Sequence, residues 1–316
     1  MSKNVIFCFS GTGNCLDIAK NIARSLGDTD IVMMRRAPAV RDVHEAERVG
    51  FVFPCYAGGL PGDVEKFVRS LFISAKAYTF GVVSYAGYPG VGLARINEIV
   101  PLSYHAGISH QSACIWLMPH TLMFPPLTPE KAQKRSEDFA AKVAEDIKNG
   151  VRSEKAPSAP LFNKIEASVW PKLAPKKAES FTVTGKCIGC GQCAALCPKG
   201  NIKMVGGRPS FGTDCVQCLS CLQFCPRQAI HMGGVTAKRE RWHNPNISAL
   251  ELNEKVIPID INSHNAAGEF EAFYEAVQGL RPLETPAIEG ANTIAVCHAI
   301  VESADTGRPV APNYFV

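Results

Sequence analysis

No stretch of this 316-residue sequence is apolar for long enough to cross a bilayer, because a helical span needs about 20 consecutive apolar residues. The best run, 113–122, is interrupted by Pro119 and His120. The opening Met-Ser-Lys-Asn passes straight into a short apolar run at 5–9, with no small-residue cleavage site behind it, so no secretory signal is expected. An excess of either charge is also missing. The 33 Lys and Arg against 29 Asp and Glu leave a formal +4 with the basic residues scattered, which does not mark a nucleic-acid or membrane-surface protein. Cysteine is plentiful, at 13, but a disulfide framework belongs to short secreted chains. A soluble, cytoplasmic protein with thiols free for chemistry is expected.

Residues 1–150 alternate short apolar runs with stretches of helical period. Strands are expected at 5–10, 31–34, 49–54, 80–84 and 112–118. Helices are expected at 14–26, about 61–71, about 92–100, and from Pro129 to about 150 with Thr128 as N-cap and Gly150 as stop. Strands apolar throughout, each followed by a helix, imply a parallel sheet covered on both faces. The fold class is therefore α/β, a doubly wound, five-stranded, flavodoxin-like sheet. Residues 151–181, rich in Pro, Ala and Lys, read as a linker with a turn and a half of helix around Leu161, Phe162, Ile165 and Val169. A small α+β unit at 182–245 follows. A helical tail at 246–316, with helices near 266–280 and 289–303, completes the division.

The strongest pattern is a duplication. CIGCGQCAALCP and CVQCLSCLQFCP repeat at an offset of 28 residues, carrying Ile202 onto Ile230 and Met204 onto Met232. Each copy is C-x2-C-x2-C-x3-C-P. Three thiolates at steps of three wrap three corners of an iron–sulfur cube, and the fourth Cys, before Pro, reaches across to the other cube. Cys187, Cys190, Cys193 and Cys225 should hold one 4Fe–4S cluster; Cys215, Cys218, Cys221 and Cys197 should hold the second. Small residues between the ligands (Gly189, Gly191, Ala194, Ser220) let backbone N–H groups approach the sulfurs. Structural zinc is the alternative, but zinc sites pair two C-x2-C units across a longer gap and need neither the third Cys nor the Cys-Pro.

A second signal lies where the first strand meets the first helix: SGTGN, Ser10, Gly11, Thr12, Gly13 and Asn14, followed by Cys15. Converging N–H groups, a helix N-terminus and two hydroxyls make a phosphate cradle. A Walker loop would need G-x4-G-K-S/T, and the lysine is missing. A Rossmann fingerprint would need glycine where Leu16 stands, and an acid near Met33, Met34 or Arg35. A monophosphate in a flavodoxin-like sheet fits, which points to FMN. Two further loops sit beyond strand ends: PCYAGGLPGD, with Pro54, Tyr56, Ala57 and Gly58, and SYAGYPGVG, with Ser84, Tyr85, Ala86, Gly87 and Tyr88. Each offers glycine for close approach and an aromatic for a ring face (Tyr56 in one, Tyr85 or Tyr88 in the other).

The order FSGTGN, P-x-Y loop, tyrosine–glycine loop, Met118-Pro119, doubled cysteine motif and RWHNP at 241–245 resembles the EFR1 family, in which a flavodoxin-like domain is fused to a two-cluster bacterial-type ferredoxin. The resemblance covers about residues 1–250. It implies FMN on the first domain and electron flow between flavin and clusters. Cys15 departs from it, standing where Thr or Ser is usual. The closing ESADTGRPV and the residues before it resemble the C-terminal end of Gfo/Idh/MocA-type NAD(P)-dependent oxidoreductases, without that family's GxGxxG start or Glu-Lys-Pro motif. The tail is expected to be a packing or oligomerisation appendage.

Two functions compete. One is an electron carrier linking the clusters and FMN to a redox partner protein or small acceptor, with no nucleic acid and no membrane involved. The other is an FMN-dependent reductase of a small organic substrate, needing a proton donor such as Tyr56, Tyr88 or His120. A zinc-stabilised interaction module is a third class, one that would leave the protein colourless.

Overall fold

The structure is a computed structural model and describes residues 3–35, 42–61, 63–110, 114–115, 117, 128–253 and 256–259, with 295–296, 299, 302–303 and 310–311. The chain divides into two compact units, Met1–Ile261 and Asn262–Val316. In the second, residues 295–296, 299 and 302–303 are helical, inside the stretch expected at 289–303. The helix expected at 266–280 lies outside the described residues, as do Met118, Pro119 and His120.

The first unit begins with β1 (Asn4–Cys8), α1 (Asn14–Leu26), β2 (Thr29–Met33), a two-residue β3 (Asp42–Val43), β4 (Arg48–Pro54), α2 (Val64–Arg69), another two-residue strand β5 (Phe72–Ile73), β6 (Tyr78–Tyr85), α3 (Gly92–Ile99), β7 (Tyr104–Ser109) and α4 (Pro129–Lys148). β2, β1, β4, β6 and β7 lie side by side in that order, all parallel. This is the flavodoxin-like order, which places a crevice at the carboxyl ends where the order reverses.

Alternation along β1 explains the two layers. Ile6 and Cys8 face α1 and α4, joining Leu16, Ile22 and Val143. Val5, Phe7 and Phe9 face the other way, onto Phe51, Phe53, Val64 and Phe67. A strand buried on both faces has no polar side to show, and after Asn4 its residues are apolar accordingly. Thr128 caps α4 as expected, its hydroxyl accepting from Lys131 N–H, with Pro129 in the first turn.

The fifth strand is 104–109 and not 112–118. β7 is an edge strand on which only Tyr104 and Ile108 are buried, so its sequence YHAGIS lacks a continuous apolar run. Of the expected strand, Cys114, Ile115 and Leu117 are described, in a turn closed by Leu117 N–H donating to Cys114 C=O at 3.0 Å.

The stretch read as a linker is an 18-residue helix, α5 (Leu161–Ala178), with Pro171 and Pro175 inside it. Its pattern is inverted. Asn163, Ala167, Ala174 and Ala178 face inward, while Leu161, Phe162, Ile165, Val169 and Leu173 are exposed. Small residues allow close approach: a Cβ on Gly59 would sit 3.1 Å from Ala167 Cβ.

The cysteine repeat follows as β8 (Phe181–Val183), α6 (Gln192–Leu196), β9 (Ile202–Val205), β10 (Arg208–Phe211), α7 (Ser220–Gln223) and β11 (Ile230–Met232). β8 pairs with β11 and β9 with β10, both antiparallel. The 28-residue offset relates α6 to α7 and β9 to β11. Ile202, Ile230, Leu222 and Met232 form a core that also takes in Ile115.

Residues 246–259, expected to belong to the tail, return to the sheet. After α8 (Ala249–Asn253), β12 (Val256–Ile259) pairs antiparallel with β2 and covers that edge, which would otherwise present unpaired backbone groups.

Candidate functional site

The eight repeat cysteines line two small cavities, four to each. Cys187, Cys190, Cys193 and Cys225 border one; Cys197, Cys215, Cys218 and Cys221 border the other. The lining cysteines of each cavity are one of the two sets of four named from the spacing. Backbone N–H groups already address the sulfurs: Asn201 N–H to Cys197 Sγ and Ala229 N–H to Cys225 Sγ, both 3.2 Å and again 28 residues apart. Burial, followed by mutual crowding of the thiols, pushes Cys193 up to about 11, Cys215 up to about 12 and Cys221 well above the usual thiol range. Among the described residues no three candidate ligands converge as they would on a single ion.

A third cavity, of about 450 Å³, opens at the carboxyl ends of β1, β4 and β6, within the range of small-molecule sites. Ser10, Gly11, Thr12, Asn14 and Cys15 line it from the first loop, Pro54, Tyr56, Ala57 and Gly58 from the second, and Ser84, Tyr85, Ala86, Gly87 and Tyr88 from the third. Gly13 is the one expected residue that does not. It sits at φ 100°, and a Cβ there would lie 2.8 Å from Asn244 Cβ, so it serves the packing of the RWHNP segment. Its N–H donates to Ser10 Oγ at 3.1 Å, shaping the turn ahead of α1. Cys15 is buried and its thiol bonds with Ser84; burial holds it protonated, well above the ordinary range.

Several lining residues are ones the sequence did not single out. His110 and Leu117 follow β7, and both were hidden by the misplaced fifth strand. Glu166 and Trp170 come from α5. Tyr88 donates a short hydrogen bond to Glu166, and its ring meets Phe162 edge-on. The helix taken for a linker is therefore a wall of the site. Its signal was present in the small residues spaced 4, 7 and 4 apart from Asn163 to Ala178.

Gln217, Cys218 and Leu219 also line this cavity, so Cys218 borders both it and the second thiol cavity. The contact is tight. A Cβ on Gly11 would lie 2.6 Å from both Cys218 C=O and the Tyr56 hydroxyl, and Ser220 Oγ donates to Gly11 C=O at 2.5 Å. The RWHNP segment straps the other side. Asn244 N–H donates to Thr12 C=O at 2.8 Å, the His243 ring stacks on Phe224 at 4.2 Å, and Trp242 N–H donates to Gln223 Oε1 at 2.9 Å. Arg35, where a Rossmann domain would carry an acid, is buried and donates to Leu252 C=O at 2.7 Å and to Leu196 C=O beside Cys197.

Residues 186–230 match the model of the 4Fe–4S dicluster domain. No curated protein matches the chain. Among solved structures it is similar to rubredoxin oxygen:oxidoreductase from the anaerobe Desulfovibrio gigas (13% identity over 48% of this chain and 37% of that one, TM-score 0.31). It is also similar to the flavodiiron protein from Giardia intestinalis (11%, 52% and 38%, TM-score 0.30) and to an FMN-dependent NADH-azoreductase from Bacillus anthracis (6%, 46% and 99%, TM-score 0.32). The chain thus spans little more than a third of the first two. By its sheet topology and by the dicluster-domain match at 186–230, the chain joins a flavodoxin-like parallel sheet to a small ferredoxin-like 4Fe–4S domain.

Proposed function

We propose that this chain is an electron-transfer flavo-iron–sulfur protein of the kind the EFR1 resemblance implies. Cys187, Cys190, Cys193 and Cys225 hold one 4Fe–4S cluster; Cys197, Cys215, Cys218 and Cys221 hold the second; the cavity at the strand ends holds FMN. The supporting observation is Cys218, which belongs to the walls of both the second thiol cavity and the strand-end cavity. Electron tunnelling decays exponentially with separation, and a shared wall keeps that separation small.

When bound, the clusters supply one-electron steps, and FMN exchanges two electrons singly or as a pair. The chain's own residues position and insulate. The Ser10–Asn14 turn and the start of α1 offer N–H groups and hydroxyls to the phosphate. Tyr56, Tyr85, Tyr88 and Trp170 supply faces and edges for the ring. Gly11 keeps the loop flush against Cys218, and α5 excludes water from one side.

The alternative, an FMN-dependent reductase of a small organic substrate, requires a proton donor matched to neutral pH. Tyr56 and Tyr88 are both pushed above the ordinary phenol range, chiefly by burial, which makes them weak donors. Transfer to a partner ranks first on the wall that the two cavities share at Cys218.

Anaerobically purified protein should contain about eight irons, about eight sulfides and about one FMN per chain. In stopped-flow reduction, flavin bleaching should follow cluster bleaching. Absence of flavin, or reduced clusters beside a flavin that stays oxidised, overturns the proposal.

A further inference from the structure

The two thiol cavities differ in exposure. Cys197 and Cys221 are buried around the one that touches the strand-end cavity, whereas Cys190 is exposed at the other and Ile188 beside it is 62% exposed. The hairpin of β9 and β10 lies against the same loop: a Cβ on Gly189 would sit 2.8 Å from Gly207 C=O. Val205, on the same hairpin, is 65% exposed.

The surrounding charge is mostly of one sign. Residues 182–245 hold eight Lys and Arg against two acids, while the rest of the chain holds 25 against 27. The scatter of basic residues along the sequence is therefore uneven once folded. Lys186 precedes Cys187, Arg227 lines the Cys190 cavity, and Arg208 reaches the carbonyls of Val183 and Thr184. All three are exposed, and none forms a salt bridge among the described residues. Of the domain's two acids, Asp214 is engaged by Lys199 at 3.0 Å. Two clusters at about −2 each would still leave the domain positive.

We propose that this face is the docking surface for a small, acidic, one-electron carrier protein, centred on Ile188 and Cys190 and steered by Lys186, Arg208 and Arg227. The proposal rests on the electron-transfer reading and adds the class of partner and the end of the line at which it binds. Each encounter oxidises the carrier by one electron and reduces the Cys190 cluster by one; two encounters supply the pair that FMN stores, with protons drawn from solvent. Opposite charge raises the encounter rate and is screened by salt within about 10 Å at 0.1 M. The bare apolar residues at the centre supply the short, non-directional contact.

The test uses the loaded protein and a strongly acidic two-cluster ferredoxin. Binding of oxidised ferredoxin is measured by calorimetry, and electron transfer from reduced ferredoxin by stopped flow, from about 0.02 to about 0.5 M salt. Binding and rate should each fall about tenfold or more across that range. Lys186→Glu and Arg227→Glu should lower both at low salt and converge with the parent at high salt, while Lys134→Glu on α4 changes neither. Iron content and the cluster spectrum of each variant show that the site is intact. Salt-independent binding, an equal response to Lys134→Glu, preference for a basic carrier, or self-association through this face in sedimentation would each overturn the proposal. Reduction by dithionite separates the two readings. If dithionite electrons reach the flavin through the clusters and ferredoxin ignores these charges, only the docking surface fails.

Discussion

CIGCGQC and CVQCLSC are the same motif 28 residues apart, yet they solve one backbone problem in two ways. Both need a left-handed residue on each side of the middle cysteine. The first copy uses Gly189 at φ 72° and Gly191 at φ 74°; the second uses Gln217 at φ 58° and Leu219 at φ 59°. A side chain in that region costs roughly 1–2 kcal/mol, so glycine is the cheap choice where nothing else is asked. The first copy faces solvent at Gly191, where a Cβ would meet nothing within 4 Å, while at Gly189 glycine also admits the hairpin, a Cβ there lying 2.8 Å from Gly207 C=O. The second faces the strand-end cavity and uses its side chains. Gln217 Nε2 donates to Ala174 C=O at 3.1 Å and approaches Cys215 Sγ at 3.6 Å. Leu219 is 4% exposed, in the core shared with Ile115. Strain is tolerated where the motif must also build a wall.

On the proposed reading, the largest expected effect comes from removing one cluster at a time. Cys218→Ser should abolish reduction of the flavin while leaving the EPR signal of the solvent-facing cluster. Cys190→Ser should remove that signal and leave a flavin still reducible by dithionite. Identical behaviour of the two variants would erase the distinction between the copies.

Next in size is Gly11→Val. Its side chain must displace both Cys218 and Tyr56, an overpacking cost of about 1–3 kcal/mol or more. Flavin content and melting temperature should fall together, with cluster content largely retained.

Smaller effects test the left-handed positions directly. Leu219→Gly relieves strain but empties a buried site, and a net loss of about 1–3 kcal/mol is expected in denaturant melts. Gly191→Ala adds only the conformational penalty, about 1 kcal/mol. Gln217→Gly should change stability little. By removing a donor near Cys215 it should lower the reduction potential of the second cluster in an EPR-monitored titration while leaving the first unmoved.

The smallest effect concerns thiols outside both copies. Burial pushes Cys55 and Cys114 up to about 12, so at pH 8 only about one in ten thousand of each is thiolate. Alkylation followed by mass spectrometry should leave both unmodified in the folded protein. The rate should rise about tenfold per pH unit toward that value; rapid labelling at pH 8 would show that they are not shielded.

Much of this was legible along the chain. The grouping of eight cysteines about two cavities, four to each, was readable from spacing, because side chains three residues apart on a loop converge whatever surrounds them. β1, β4 and β6 announced themselves because burial on both faces leaves an uninterrupted apolar run. β7 did not. An edge strand shields one face only, and the more apolar 113–117 beside it drew the assignment. α5 was missed because its contact face is made of small residues and its large apolar residues point outward, the reverse of the usual amphipathic pattern. His110, Glu166 and Trp170 were missed with them.

By itself the sequence determined local chemistry: which thiols group together, where a strand end meets a helix N-terminus, and which loops carry glycine and tyrosine. These depend on residues a few positions apart, within reach of spacing and period. Only the tertiary structure decided that Cys218 belongs to two walls, that Gln217 and Leu219 are used where glycine would have been easier, and that Arg35 and Asn244 bolt one half of the unit to the other. Those facts join residues as far apart as Thr12 and Asn244, and contact at that distance is set by how whole layers pack.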